Sequence, residues 1–119
     1  MTEVELKNLC DEWQALLGLA HWSIDVRVVR GAEIGNNRGQ IDYTPVSEAA
    51  VIRLKDPMDY HGFFPCDLEE KIVHELLHLI FDNTAAEEDT YEQVLDRMAR
   101  VMLKLKRQAG ERRNGMIAK

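Results

Sequence analysis

The sequence predicts an α+β fold in which one helix precedes a small mixed sheet of about three strands and two helices follow it. Three observations carry this. Apolar residues recur at three- and four-residue intervals over 3–18, alternate with polar ones over 22–30, and return to the helical period after residue 67. With 119 residues, 45% of them hydrophobic and 30% charged, the chain fits one globular domain over 1–119 with one core.

Over 3–18, Leu6, Leu9, Cys10, Trp13, Leu16 and Leu17 form the apolar stripe of a first helix, and Gly18 is its stop signal. In 22–30, Trp22, Ile24, Val26 and Val28 alternate with Ser23, Asp25 and Arg27, the pattern of a half-buried strand. Gly31, Gly35, Asn36, Asn37 and Gly39 mark a loop, with short strands expected at 38–43 and 48–54. The segment 55–66 holds two prolines and a glycine and reads as an irregular connection. Asp67 with Glu70 forms the acidic variant of a capping box and starts a helix over about 68–82. Asn83 can close that helix. Thr84 with Glu87 opens a last one that runs to about 107, leaving 108–119 as a basic, potentially flexible tail.

Composition excludes several classes. No run approaches the roughly 20 apolar residues that cross a bilayer, and the N-terminal segment is acidic where a signal peptide is basic, so a soluble, cytoplasmic protein without a membrane partner is expected. Cys10 and Cys66 lie too far apart for a C-x-x-C thiolate site and make no disulfide framework; Cys10 reads as a core residue. Net charge is −6, unevenly spread: residues 104–119 carry six cations against Glu111, a local +5 that leaves −11 on the remainder. An acidic body argues against nucleic acid as the main ligand, and the basic end reads as a solvated helix terminus favoured by the helix dipole. Oligomeric state is left open.

The unusual stretch is V-H-E-L-L-H-L-I-F at 73–81. At 100° per residue, Ile72, Val73, Leu76, Leu77, Leu79, Ile80 and Phe81 cover more than half of the helix circumference, and His74, Glu75 and His78 share the remaining strip with Lys71 and Asp82. Histidines four apart stack roughly 6 Å along the axis, so both rings can reach one ion, and Glu75 can approach its open side without ligating it. The pattern is H-E-x-x-H, the zinc helix of the zincins, with the glutamate as general base. The plainer alternative is a pair of hydrogen-bonded histidines on an amphipathic helix.

A catalytic zinc takes three protein ligands and keeps one position for water. The metzincin extension requires glycine and histidine where this chain has Phe81 and Thr84, and no histidine follows His78. Asp82 lies roughly 12 Å along the axis from His74, too far for one ion. The acids of the last helix remain. There Tyr91, Val94, Leu95, Met98, Val101, Met102 and Leu105 are the expected buried stripe, extended on one edge by Ala99 and Leu103, and Glu92 and Asp96 lie on that edge. Glu92 is the candidate third ligand with Asp96 behind a ligating histidine, and Glu88 is its rival.

With H-E-L-L-H at 74–78 and E-Q-V-L-D at 92–96, the chain resembles the gluzincins, and at this length it is most similar to the minimal single-domain minigluzincins. The resemblance implies a zinc metallopeptidase with one zinc on His74, His78 and Glu92, Glu75 as general base, Asp96 as support for a ligand, and a peptide or protein as substrate. The histidine that steadies the transition state in thermolysin-like members has no counterpart beyond Asp96; Tyr43, Tyr60, His61 and Tyr91 are the candidates for that role. The strand containing Ala49, Ala50, Val51 and Ile52 reads as a core element or, alternatively, as a substrate platform at the sheet edge. The competing functional readings are a zinc-stabilised binding module without useful turnover, its basic tail folded over the cleft, and a metal-free interaction protein.

Overall fold

The computed structural model describes residues 2–35, 37–60, 67–81 and 88–117, with side chains for all of these except 88–90 and 113–117. The architecture is α+β. Helix α1 (Glu3–Leu16) leads into strand β1 (Ser23–Val29), a single-turn helix α2 (Gly31–Ile34), strands β2 (Gly39–Thr44) and β3 (Ala49–Lys55), and a 3-10 turn at Pro57–Asp59. Helices α3 (Leu68–Ile80) and α4 (Glu88–Ile117) complete it. The expected elements are present. Two differences concern extent: the loop after β1 contains α2, and α4 extends ten residues beyond the expected end near 107. Asn83, Thr84, Glu87 and Cys66 lie outside the described residues.

The sheet is mixed, in the order β1-β3-β2, with β1 parallel and β2 antiparallel to the central β3. Ile24, Val26, Ala50, Ile52 and Leu54 turn to one face and are buried with Leu6, Cys10, Trp13 and the α3 residues Ile72, Val73, Leu76 and Leu77. The helices α1 and α3 cover that face, α3 against β2 and β3 and α1 against β1. Cys10 is a core residue as expected; burial pushes its thiol up to about 11, which keeps it unreactive. The outer edge of β1 is closed by α1: Val28 N–H donates to Glu3 Oε1 and Lys7 Nζ donates to the Ile24 carbonyl.

Local signals set the helix ends. Thr2 and Glu5 form a reciprocal capping box ahead of α1, and Gly18, at φ 74°, supplies the left-handed turn that ends it. Asp67 accepts from Glu70 N–H ahead of α3, but the Glu70 carboxylate takes the Arg100 guanidinium, so only half of the expected box forms there. Leu16 is exposed rather than buried; Gln14 takes the inward position and caps the carbonyls of Leu19 and Trp22. Ile80 and Phe81, assigned to the apolar arc of α3, are also exposed.

Helix α4 lies along α3 with Leu95, Ala99 and Leu103 fully inward. Val94, Val101 and Leu105, expected in the buried stripe, are 49%, 52% and 60% exposed. The residues expected at the stripe's edge are its centre, because the apolar arc of α4 is wider than the contact that α3 offers.

The far end of the α3–α4 pair is held by charge. Glu69, almost fully buried, accepts from Trp13 Nε1 at 2.8 Å and from Lys106 Nζ at 2.6 Å, with Arg107 at 3.3 Å. Burial alone would raise its carboxyl; the hydrogen bonds from Lys106 and Trp13 outweigh this and hold it below the ordinary value. Its stabilisation is therefore present above the unfolded pKa near 4.5 and is lost as pH falls through the lower folded value. Lys106→Met should destabilise the fold by about 1–3 kcal/mol at pH 7. The deficit should shrink by pH 3. Urea denaturation at the two pH values checks this; an equal deficit at both would assign the loss to packing alone.

Candidate metal centre

Helix α3 presents His74 and His78 one turn apart, with ring centroids 5.0 Å apart. From α4, Glu92 reaches between them, Oε2 at 2.8 Å from His74 Nε2 and Oε1 at 3.1 Å from His78 Nε2. Asp96, one turn on, places Oδ1 at 2.7 Å from His74 Nδ1. The two are close without hydrogen-bond alignment, so Nδ1 is buried with no hydrogen-bond partner among the described residues, while Nε2 is directed at Glu92. Lys71 Nζ stands 3.9 Å from Asp96, one turn before His74 on α3.

One ligand atom from each of His74, His78 and Glu92 lies within 4.8 Å of the others, and these three residues could hold a metal ion. Donors about 2 Å from a common four-coordinate ion sit roughly 3.4 Å apart. The two carboxylate–imidazole spacings, 2.8 and 3.1 Å, are slightly shorter than that, and none of the three exceeds 4.8 Å. Two imidazoles and one carboxylate, with a second carboxylate beside the outer nitrogen of His74, form a donor set that suits a divalent ion. The fit rests on these contacts.

The strip predicted to face a cleft is more enclosed than its sequence implies: His74 is 6% exposed and Glu75 5%. Burial, foremost, and the charges of Glu92 and Asp96 push the Glu75 carboxyl up to about 8, with Lys71 pulling the other way. Burial likewise lowers His78, and this favours the neutral, ligating imidazole. Glu75, His78 and Glu92 open into a hollow of about 360 Å3 whose opposite wall is Asn37, Gly39, Ile41 and Tyr43.

Gly39 was legible only as a loop glycine, yet a Cβ there would stand 3.1 Å from Glu75 Oε1, a tight contact that the carboxylate would have to shift to relieve. Asn37 was likewise missed; an amide within an Asn- and Gly-rich turn gives no sequence signal of its own. The strand containing Ala49, Ala50, Val51 and Ile52 is β3, paired on both sides, so it is a core element and cannot serve as an edge platform. The edge beside the hollow is β2. Its register, with the Arg38 carbonyl accepting from Lys55 N–H, turns the backbone of Gly39, Ile41 and Tyr43 away from β3.

Of the other candidates, Tyr43 lines the hollow. Tyr91 stacks edge-on against His78 at 5.3 Å and donates its hydroxyl to the Phe81 carbonyl. Tyr60 lies under the Arg38 guanidinium, outside the hollow's wall. His61 and the Glu88 side chain are outside the described residues. The basic end of α4 does not fold over the cleft: Lys106 and Arg107 pair with Glu69 and Asp67 at the opposite end of α3, and the helix continues away from there. Among the described residues no helix is long and apolar enough to cross a membrane.

Compared with protein-family models, curated proteins and solved structures, the chain finds no match.

A buried carboxyl raised to about 8 binds a proton that the unfolded chain releases near 4.5, so metal-free stability should fall as pH rises through that window. Glu75→Gln removes the penalty. In chelator-treated protein it should leave stability unchanged at pH 4 and raise it by a few kcal/mol at pH 8, at about 1.4 kcal/mol per pKa unit. Thermal melts at both values check this. A loss of stability at pH 8 would mean that the ionised carboxylate is satisfied in the fold.

Proposed function

We propose that this chain is a zinc-dependent metallopeptidase of the gluzincin type, acting on a peptide or protein substrate. The observation that carries the reading is the Glu92 carboxylate set between the Nε2 atoms of His74 and His78 at 2.8 and 3.1 Å, with Glu75 buried beside them. Zinc, when held by this trio, would supply Lewis-acid activation of a water in its open position.

Everything else falls to the chain's own residues. Glu75 opens into the hollow next to the trio, where it can take a proton from the attacking water and return it to the amine that leaves as the C–N bond breaks. Its enclosure favours this shuttling, since a carboxyl pushed upward by burial releases and recovers a proton near neutral pH. Asp96, 2.7 Å from His74 Nδ1, is the carboxylate placed to orient that ring once a small rotation aligns the two. Gly39 leaves room for the Glu75 carboxylate. The outward backbone of β2 offers an extended peptide a strand to pair with, which would lay its carbonyls along the hollow. Tyr43 and Asn37, on that wall, are the side chains positioned to donate to a carbonyl oxygen as it gains charge.

Zinc content and cleavage of a broad peptide mixture test the proposal together. The native chain should bind one zinc and cleave. Glu92→Ala should lose the ion, whereas Glu88→Ala should keep it. Asp96→Ala should weaken zinc by about 10–100-fold. Glu75→Gln should retain zinc and lose cleavage; retained proteolysis would remove Glu75 from the role of base. Stoichiometric zinc without cleavage by the native chain would make the centre a structural one.

A further inference from the structure

The α4 residues Val94, Met98, Val101 and Leu105 follow one another at intervals of four, three and four, the spacing of a coiled-coil seam. This seam is not the face that packs on α3, which is Leu95, Ala99 and Leu103. Val94, Val101 and Leu105 are exposed, and Val94 and Val101 border, with Met98 and Met102, an apolar hollow of about 590 Å3 rimmed by Gln93 and Arg97. An apolar strip of this length on a helix surface marks an interaction site.

Charge identifies the occupant. Arg97 and Lys104 each precede a seam residue, Met98 and Leu105, at the flanking position that in coiled coils sets partner choice. Both make no ion pair among the described residues, while their neighbours Arg100 and Arg107 are paired with Glu70 and with Asp67 and Glu69. A second copy of this chain cannot answer them. Antiparallel pairing would set Arg97 against Lys104 of the other copy, and parallel pairing would set them against Met102 and Ala109. An anionic membrane is disfavoured by the net charge of −6. We infer that the outer face of α4 docks an amphipathic helix of another protein, with an apolar seam at the same period and acidic residues opposite Arg97 and Lys104. The surface is separate from the metal centre and stands whether or not that centre is catalytic.

The test uses the full chain and two synthetic helical peptides with the same leucine seam, one flanked throughout by Glu and the other by Lys, with binding read by fluorescence anisotropy. The Glu peptide should bind at least tenfold more tightly. The Arg97→Glu, Lys104→Glu double variant should reverse that preference, and Val101→Asp should abolish binding of both, with far-UV circular dichroism and zinc content confirming that each variant folds. Equal affinity for the two peptides, an unaltered preference in the double variant, or no binding of either overturns the inference. So does a homodimer in sedimentation that the Glu peptide fails to dissociate, or binding to phosphatidylserine-containing vesicles in place of the peptides.

Discussion

The rotation of α4 about its own axis is the constraint on which the centre depends. Leu95, Ala99 and Leu103 set it by packing inward, and the small Ala99 permits close approach to α3. Glu92 and Asp96, three positions before Leu95 and Ala99, then meet His74 and His78 without any further device. Charge at the opposite end fixes the slide of one helix along the other: Arg100 on Glu70, Lys106 on Glu69 and Arg107 on Asp67. Those acids occupy the first turn of α3, where the helix dipole favours them, so the clasp and the helix reinforce each other.

The centre sits where local rules for stability are broken. A glutamate 5% exposed makes no hydrogen bond among the described residues, two more carboxylates stand near it, and Lys71 is the cation at hand. A buried carboxyl flanked by two half-exposed ones is unfavourable as an anion unless a cation joins it. Glu69 and Gln14, by contrast, are buried polar groups that are fully engaged. That contrast between a satisfied polar network at one end of α3 and an unsatisfied one at the other separates scaffold from site.

What the sequence revealed was short-range. The H-E-x-x-H strip, the Asp67 cap, the alternation in β1 and the Gly18 stop are each written within one turn or one strand, and each is in place. The misreadings needed long-range knowledge. The apolar arc of α4 runs from Val101 through Leu105, Met98 and Met102 to Leu103, too broad to show which part meets α3, so the centre of the buried face was displaced toward the solvent side. Likewise, alternation cannot order strands, so β3 could be taken for an edge when β2 holds that place. Gly39 matters through a residue 36 positions away, which no local pattern encodes.

Charge balance joins the parts of the centre. With Glu75 protonated, Glu92 and Asp96 set against Lys71 leave the neighbourhood at a net −1 when both imidazoles are neutral. A divalent ion there would reverse the sign to +1, and ionising Glu75 would return it to zero. Occupancy of the trio and release of the Glu75 proton are therefore favourable together and unfavourable apart. Burial that makes this carboxyl a poor anion without an ion is thus the property that would make it a responsive base with one, since the added positive field opposes the effects of burial, Glu92 and Asp96. The close approach of Gly39 is part of what leaves Glu75 only 5% exposed; a carboxylate standing free in the hollow would be an ordinary surface acid.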